Sequence, residues 1–346
     1  MPSNTVTTNI AQSIIIHAPC RVDLAGGTMD IWPLYLFHPG AVTVNFAVNI
    51  LTRARITPLA GRRIRFISLD TDRREEFASF AEVCAAKKFR HPLAGYLARF
   101  FAPEGGFELE THSESPAGAG ISGSSALMIA TTAALAQFTG RNLGLEQIRE
   151  IAQNVEAQLI RVPTGCQDYY PALYGGVSAI HLDPDGIHHE AVRIAPEELD
   201  RRFVLVYTGA PRQSGINNWE VFKAHINGDK RIFRNFAQIA EIARDMHDAL
   251  ALADWDKVAR LLRDEWKLRK TNAPRITTPL IEKLIKAATQ NGALAAKVCG
   301  AGGGGCVVFL TEPEARDRVA QAIRENGGQV LPAKVARDGL TSGLEG

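Results

Sequence analysis

A glycine- and serine-rich stretch near the middle of the chain most strongly constrains the fold. Residues 115–126 read Ser-Pro-Ala-Gly-Ala-Gly-Ile-Ser-Gly-Ser-Ser-Ala and carry no charge. They lie between a predicted strand at 107–113 and a predicted apolar helix at 124–138. Glycine allows backbone N–H groups to approach a ligand closely, and a helix N-terminus carries partial positive charge. The stretch therefore predicts a phosphate-binding loop, with a flexible surface loop as the alternative.

Two common phosphate-loop motifs fit this stretch only in part. Gly118, Gly120 and Gly123 have the G-x-G-x-x-G spacing of a dinucleotide fingerprint. That fingerprint also requires an acid about twenty positions downstream. The sequence there reads Gly-Arg-Asn, and the first acid is Glu146. A P-loop requires lysine directly after its last glycine, where this chain has Ser124. Both interpretations are weakened.

The composition is typical of a globular protein with two domains. The chain has 346 residues, of which 46% are hydrophobic, and a formal net charge of +2. Basic and acidic residues are interspersed, so no nucleic-acid partner is predicted. No apolar run reaches the roughly 18 residues of a membrane span, and residues 1–9 lack the basic start of a signal peptide. Five cysteines without a C-x-x-C pair indicate reduced thiols. We expect a cytoplasmic protein with no membrane partner.

Hydrophobic periodicity predicts a chain of mixed α and β structure whose second half is rich in helices. β-branched and alternating residues predict strands at 13–19, 22–24, 42–50, 53–57 and 62–68, with 42–50 and 53–57 as a pair. Apolar residues at helical spacing predict helices at 92–101, 145–160, 232–252, 255–270 and 279–290. We place the domain boundary between residues 196 and 197 and expect the last ten residues to fray.

A second glycine run occupies 300–305, directly before an apolar strand. Such a dense run requires close backbone approach or positive φ at several residues. We therefore expect it to lie over the active cleft.

Four charged residues are candidates for a functional site. Asp168 has glycine, cysteine and tyrosine neighbours, and a carboxylate in so apolar a setting needs a partner. Arg21 and Asp30 bracket a predicted turn at 26–27 and could converge on one cleft. The alternative for Arg21 is a solvated surface arginine, and the alternative for Asp30 is the cap of a short helix. Glu156 lies near the end of a predicted helix, where the helix dipole opposes an acid.

Three motifs, in this order, resemble those of the GHMP kinases, which include galactokinase, homoserine kinase and mevalonate kinase. Residues 18–27 read A-P-C-R-V-D-L-A-G-G and are similar to the family's A-P-x-R-x-x-L-x-G. Residues 116–126 are similar to its phosphate loop, P-x-G-x-G-L-G-S-S-S-A. Residues 299–305 are similar to its C-terminal G-A-G-G-G-G segment. The resemblance covers nearly the whole chain.

Within this superfamily the sequence resembles the sugar kinases related to D-glycero-D-manno-heptose 7-phosphate kinase. Residues 165–176 are similar to that group's G-x-Q-D-Q-Y…G-G, and residues 207–214 to its Y-T-G-x-x-R-x-S. The sequence departs from the group at two points. Gly27-Thr28-Met29-Asp30 stands where the group has G-G-T-D, and Ser122-Gly123 stands where it has G-S.

The resemblance implies an α+β GHMP kinase-like fold of two domains. The first, residues 1–196, would be ribosomal S5-like and bind ATP, and the second, residues 197–346, would be ferredoxin-like. The resemblance also implies that Asp168 orients or deprotonates the attacking hydroxyl, with Arg21 beside it. Glu156 would bind Mg²⁺ together with Ser125.

The resemblance further implies two sets of binding residues. The ATP phosphates would be held by residues of the glycine- and serine-rich loop, namely Pro116, Gly118, Ala119, Gly120, Ser122, Gly123, Ser124 and Ser125. The acceptor would be held by Gly27, Thr28, Asp30, Gly302 and Gly303.

The function implied is that of an ATP- and Mg²⁺-dependent kinase acting on a sugar or sugar phosphate, for which a heptose 7-phosphate is one candidate. The anomeric C1 hydroxyl is the favoured acceptor. Two alternatives are a nucleotide-binding regulator that has lost catalysis and a dinucleotide-dependent oxidoreductase. The sugar substrate is the expected partner, and the sequence leaves the oligomeric state open.

Overall fold

The computed structural model describes residues 12–211 and 216–343, without the side chains of residues 216, 217 and 274. The strands are β1 (Ile14–Ala25), β2 (Ala41–Leu59), β3 (Ile64–Ser68), β4 (Arg73–Phe77), β5 (Gly106–Ser113), β6 (Val177–Asp183), β7 (Gly186–Ala191), β8 (Phe203–Tyr207), β9 (Ala293–Val298), β10 (Cys306–Thr311), β11 (Gln329–Val330) and β12 (Thr341–Gly343). The helices are α1 (Phe80–Ala85), α2 (Pro92–Phe101), α3 (Gly123–Phe138), α4 (Leu145–Ile160), α5 (Tyr170–Tyr174), α6 (Pro196–Arg202), α7 (Ile216–Ile226), α8 (Lys230–Ala251), α9 (Trp255–Asn272), α10 (Pro279–Gln290) and α11 (Arg316–Glu325).

Two sheets organise the described residues. Eight strands form the first sheet, in the order β12-β1-β2-β5-β3-β4, with β6 on β2 and β7 on β6. Four antiparallel strands form the second, in the order β11-β8-β10-β9. Helix α3 packs against β1 and β2, and α8 reaches the same strands from the second half of the chain. Helices α9, α10 and α11 pack against the second sheet. The expected α+β class is confirmed.

Several predicted helices agree closely with the structure. Helices α2, α4 and α10 begin and end at the predicted residues. The amphipathic sequence of each helix determines where it lies, because its apolar face packs against the core. Helix α3 is buried along most of its length, which agrees with its largely apolar sequence. No helix in the described part of the chain is long and apolar enough to cross a membrane.

The predicted strand pair at 42–50 and 53–57 is wrong, because both segments belong to the single strand β2. The intervening Leu51 and Thr52 favour extended backbone and contain no turn residue. Strand β2 pairs with β6 along its first part and with β5 along its last part. Residues 13–19 and 22–24 likewise form one strand, β1, whose pairing with β2 shifts after Pro19.

The end of the chain returns to the first sheet. Strand β12 pairs with β1, so the expectation that the last ten residues fray is wrong for this segment. The Ala47 carbonyl also accepts a hydrogen bond from the Ala336 N–H at 3.0 Å. The boundary between residues 196 and 197 stays a prediction. The structure adds that the C-terminal residues assigned to the second domain pair with strands of the first sheet.

Candidate active site

The predicted phosphate loop, the turn after β1 and the segment before α5 surround one cavity of about 730 Å³. Helix α7 and the start of the second glycine run complete its wall. The wall includes every residue predicted to hold ATP or metal, and also Arg21, Thr28, Asp30 and Asp168. Residues separated widely in sequence therefore share one cavity.

Asp168 and Arg21 form a close ion pair in this cavity. The Nε and Nη2 groups of Arg21 donate to Oδ1 of Asp168 at 2.9 Å and 2.5 Å, leaving Oδ2 outside the pair. Arg21 is 1% exposed, and its Nη1 donates to the Gly120 carbonyl at 2.8 Å. Burial lowers the pKa of Arg21, but the charges of Asp168 and Asp23 outweigh it and raise the pKa above its ordinary value. Arg21 thus stays charged and links Asp168 to the phosphate loop.

The phosphate loop ends at the N-terminus of α3, as predicted. Ser122 is the N-cap of this helix and has a left-handed φ of 58°, a conformation that favours glycine. It stands where the GHMP kinase motif has glycine, a residue that adopts such a φ without strain. The Ser122 hydroxyl is buried and has no hydrogen-bond partner among the described residues. An orphaned hydroxyl beside free helix N–H groups suits a phosphate ligand.

Position 123 has glycine where the family motif has serine, and this difference also has a physical reason. A Cβ atom there would lie 2.8 Å from the Cβ of Ser115, closer than two carbon atoms can approach. Ser115 therefore requires glycine at position 123.

Glu156 brings together the donor set expected for a metal ion. Its Oε1 accepts from the Ser124 hydroxyl at 2.9 Å, and its Oε2 accepts from the Ser125 hydroxyl at 2.9 Å. The Tyr169 hydroxyl also donates to Oε2, at 2.7 Å. Burial raises the pKa of Glu156, and these three hydrogen bonds oppose that rise. Because all the atoms that could bind a metal here are oxygens, the site fits a hard cation such as Mg²⁺.

Asp30 is a buried acid in the wall of the same cavity. It is 3% exposed, and Oδ2 accepts from the Gln167 N–H at 2.9 Å. Burial, reinforced by the charge of Asp168 and opposed by hydrogen bonding, raises the pKa of Asp30 to about 6.

Thr28 stands at the other departure from the GHMP kinase motifs. It has a φ of 76°, in the left-handed region that favours glycine. Its hydroxyl donates to the Asn218 side chain at 3.2 Å, which ties the turn after β1 to α7. Trp219 and Phe222 of the same helix line the cavity, and their rings stack 5.3 Å apart. The adjacent Met29 is buried in the core.

Three predicted substrate-binding glycines, Gly27, Gly302 and Gly303, are not among the described residues that line the cavity. A Cβ on Gly302 would lie 2.3 Å from Cγ1 of Ile276, and the Gly303 N–H donates to the Ile276 carbonyl at 2.8 Å. This part of the run packs against the segment after α9. Gly27 lies beneath the Arg269 guanidinium instead.

The last glycine of the second run, Gly305, packs closely against the backbone of the phosphate loop. A Cβ there would lie 2.6 Å from the Ala119 carbonyl oxygen. The same carbonyl accepts from the Cys306 N–H at 2.6 Å. The motif residues Arg212 and Ser214 lie outside the described residues.

Sequence reasoning missed several residues of the site. Asn218 and Trp219 carried no distinguishing pattern, and Tyr169 lies in the motif at 165–176 but was given no role. Lys297, in contrast, interrupts the apolar strand β9 and is fully buried, which was a usable signal.

Two protein-family models match the chain. The one described as GHMP kinases N terminal domain matches residues 83–176, and the one described as GHMP kinases C terminal matches residues 246–329.

Curated relatives extend the similarity over most of the chain. The D-glycero-alpha-D-manno-heptose 7-phosphate kinase of Campylobacter jejuni is 27% identical over 342 residues, covering 96% of this chain and 99% of that protein. The L-fucokinase/L-fucose-1-P guanylyltransferase of Bacteroides fragilis is 25% identical over 343 residues, covering 90% of this chain and 36% of that protein.

A solved structure shows the same fold. The crystal structure of Lactococcus lactis galactokinase complexed with galactose superimposes with a TM-score of 0.78 at 17% identity, covering 96% of this chain and 95% of that one. The expected fold is confirmed.

Proposed function

Because the chain belongs to the GHMP kinases, we propose that it transfers the γ-phosphoryl group of ATP to a hydroxyl of a sugar or sugar phosphate. GHMP kinases are ATP-dependent phosphotransferases, so the kinase class follows from the family, and the acceptor and the residue roles are the proposal. The observation that carries it is the Asp168 carboxylate, fixed by Arg21 in the cavity that the phosphate loop also lines.

The chain's own groups divide into a phosphate cradle and a metal site. Bound ATP with Mg²⁺ supplies the transferred group and partly neutralises its charge. Backbone N–H groups between Gly118 and Ser125 would hold the phosphates at the N-terminus of α3. Glu156 would hold Mg²⁺ together with the Ser124 and Ser125 hydroxyls, so the structure offers two serines where the sequence favoured one.

Asp168 would act on the acceptor hydroxyl. Its carboxylate accepts the hydroxyl proton while the acceptor oxygen bonds to the γ-phosphorus and ADP leaves. Arg21 fixes the orientation of this carboxylate through two hydrogen bonds. The same arginine stabilises negative charge that develops next to the loop.

The acceptor end of the cavity supports a sugar as the substrate. Asp30 offers a carboxylate to hydroxyl groups, and Trp219 offers an aromatic face to the C–H side of a ring. Thr28 and Asn218 fix these two groups relative to each other. The Campylobacter jejuni relative makes a heptose 7-phosphate one candidate acceptor. The favoured product is a sugar 1-phosphate.

A coupled ADP-release assay over aldoses, heptoses and their phosphates tests the proposal. We expect ADP release that requires both Mg²⁺ and one class of sugar, and thermal stabilisation by ATP with Mg²⁺ rather than by NAD(P). ATP binding without transfer across the panel would instead identify a regulator. Stabilisation by NAD(P) alone would identify an oxidoreductase.

The raised pKa of Asp30 predicts a pH-dependent affinity for the acceptor. Below the pKa of about 6 the carboxyl is protonated and loses its strength as an acceptor for sugar hydroxyls. We expect the acceptor KM to rise by up to about tenfold per pH unit as the pH falls below that value. Steady-state kinetics across this range measure the effect. The Asp30→Asn variant should show a high KM that does not change with pH, whereas Asp70→Asn, at another part of the wall, should behave like the wild type. A wild-type KM that stays constant would contradict the assignment.

A further inference from the structure

A buried group of charged side chains joins the two halves of the molecule behind the catalytic pair. Asp23 follows Arg21 by two residues on β1, while Glu265 lies on α9 and Lys297 on β9. Asp23, Glu265 and Lys297 are all 0% exposed, and Arg269 is 5% exposed. A buried charge is costly unless it has a partner of opposite sign. Removing one charge from this group would therefore change the partners of the others.

Arg21 has two carboxylates within reach. Its Nη2 lies 2.5 Å from Asp168, and its Nη1 lies 4.0 Å from Oδ1 of Asp23. Asp23 is therefore a competitor for the guanidinium that holds Asp168.

The second half of the chain holds Asp23 through both of its oxygens. Lys297 Nζ donates to Oδ2 at 2.6 Å, and the Gly300 N–H donates to Oδ1 at 3.0 Å. Burial raises the pKa of Asp23, but the charges of Lys297, Arg21 and Arg269 outweigh it and hold the pKa far below its usual range. Lys297 also lies 3.1 Å from Glu265.

The count of charges shows what Lys297 contributes. Three cations, Arg21, Arg269 and Lys297, face three acids, namely Asp23, Glu265 and Asp168. Without Lys297, two cations would face three acids. Arg269 lies 3.7 Å from Glu265 and 3.9 Å from Asp23, so it cannot compensate both. Asp23 would then draw the Arg21 guanidinium away from Asp168.

We propose that Lys297 is a positioning residue for phosphoryl transfer: by holding Asp23 it directs Arg21 to Asp168. The inference rests on the proposed function, because it concerns the residue that fixes the catalytic carboxylate. Lys297 itself touches neither Asp168 nor the phosphate loop in the described contacts, so its effect passes through Asp23 and Arg21.

Three variants test this inference: Lys297→Met, Asp23→Asn and the double variant. We expect Lys297→Met to lower kcat roughly a hundredfold, as a small misplacement of a catalytic group does, with little change in the KM for ATP. Adding Asp23→Asn removes the competing carboxylate, so the double variant should recover kcat to within about tenfold of the wild type. Asp23→Asn alone should lose less kcat than Lys297→Met. Lys283→Met, which removes an exposed lysine from α10, is the matched control and should leave activity unchanged.

Thermal unfolding of each variant separates positioning from folding. A merely structural lysine would lower the melting temperature and the active fraction but leave kcat per folded molecule unaltered. If Lys297→Met does not fold, the double variant, in which two cations face two acids, still tests the inference, because a folded double variant that stays slow would contradict it. A wild-type kcat in folded Lys297→Met, or a double variant that folds but stays a hundredfold slow, would overturn the inference and leave the kinase function standing. A wild-type protein that transfers phosphate to no acceptor would overturn both.

Discussion

The Asp168→Asn variant is expected to lose roughly two to four orders of magnitude in kcat, the effect of removing a positioned acid–base group. Asparagine has the shape of aspartate and can still accept a hydrogen bond from Arg21, but its amide cannot take a proton from the acceptor hydroxyl. The KM for ATP should change little, because in the proposed mode of binding backbone groups of other residues hold the nucleotide. Steady-state ADP-release kinetics with the preferred sugar measure both kcat and the KM for ATP.

The control for this variant is Asp70→Asn. Asp70 also lines the cavity, but it accepts a hydrogen bond from Ser68 and lies away from Arg21 in the described contacts. It should retain kcat within a few-fold of the wild type. Near-wild-type turnover in Asp168→Asn would remove Asp168 from the mechanism.

The Glu156→Gln variant is expected to raise the Mg²⁺ concentration needed for half-maximal activity by about a hundredfold. The substitution removes the negative charge that attracts the cation and places an amide NH₂ group beside the Ser124 and Ser125 hydroxyls. Activity at very high Mg²⁺ should recover in part, because the phosphates themselves also bind the metal. A Mg²⁺ titration of the rate gives the shift, and Mn²⁺ binding followed by electron paramagnetic resonance measures metal affinity without turnover.

Glu220→Gln is the matched control, since Glu220 is an exposed acid at the wall of the same cavity. It should leave the Mg²⁺ dependence unchanged. An unaltered Mg²⁺ dependence in Glu156→Gln would assign the metal to other groups.

Local sequence patterns predicted the elements that carry the site. The apolar periodicity of α4 and the largely apolar sequence of α3 determine where these helices lie, because each depends on residues three to four positions apart. Glycine and serine before α3 indicated the phosphate loop for the same local reason. Strand β2 was predicted as two strands although Leu51 and Thr52 contain no turn residue, whereas its change of partner from β6 to β5 is visible only in the structure.

The two departures from the related kinases needed the structure for their explanation. Thr28 and Ser122 stand where the motifs have glycine, and both adopt the left-handed backbone that favours glycine, with φ of 76° and 58°. A sequence comparison shows only the lost glycine. The surrounding fold must over-determine such a conformation, since an isolated threonine or serine would avoid it.

By itself, the sequence determined the α+β class, the phosphate loop and the presence of Arg21, Glu156 and Asp168 as candidates. Only the tertiary structure decided their partners, because Arg21 on β1 and Asp168 in the segment before α5 are 147 residues apart in the chain. It also placed Gly302 and Gly303 against Ile276 and brought Lys297 to Asp23. The physical reason is one of range. Backbone conformation responds to neighbours along the chain, whereas a buried charge responds to whichever opposite charge the fold brings within a few ångströms.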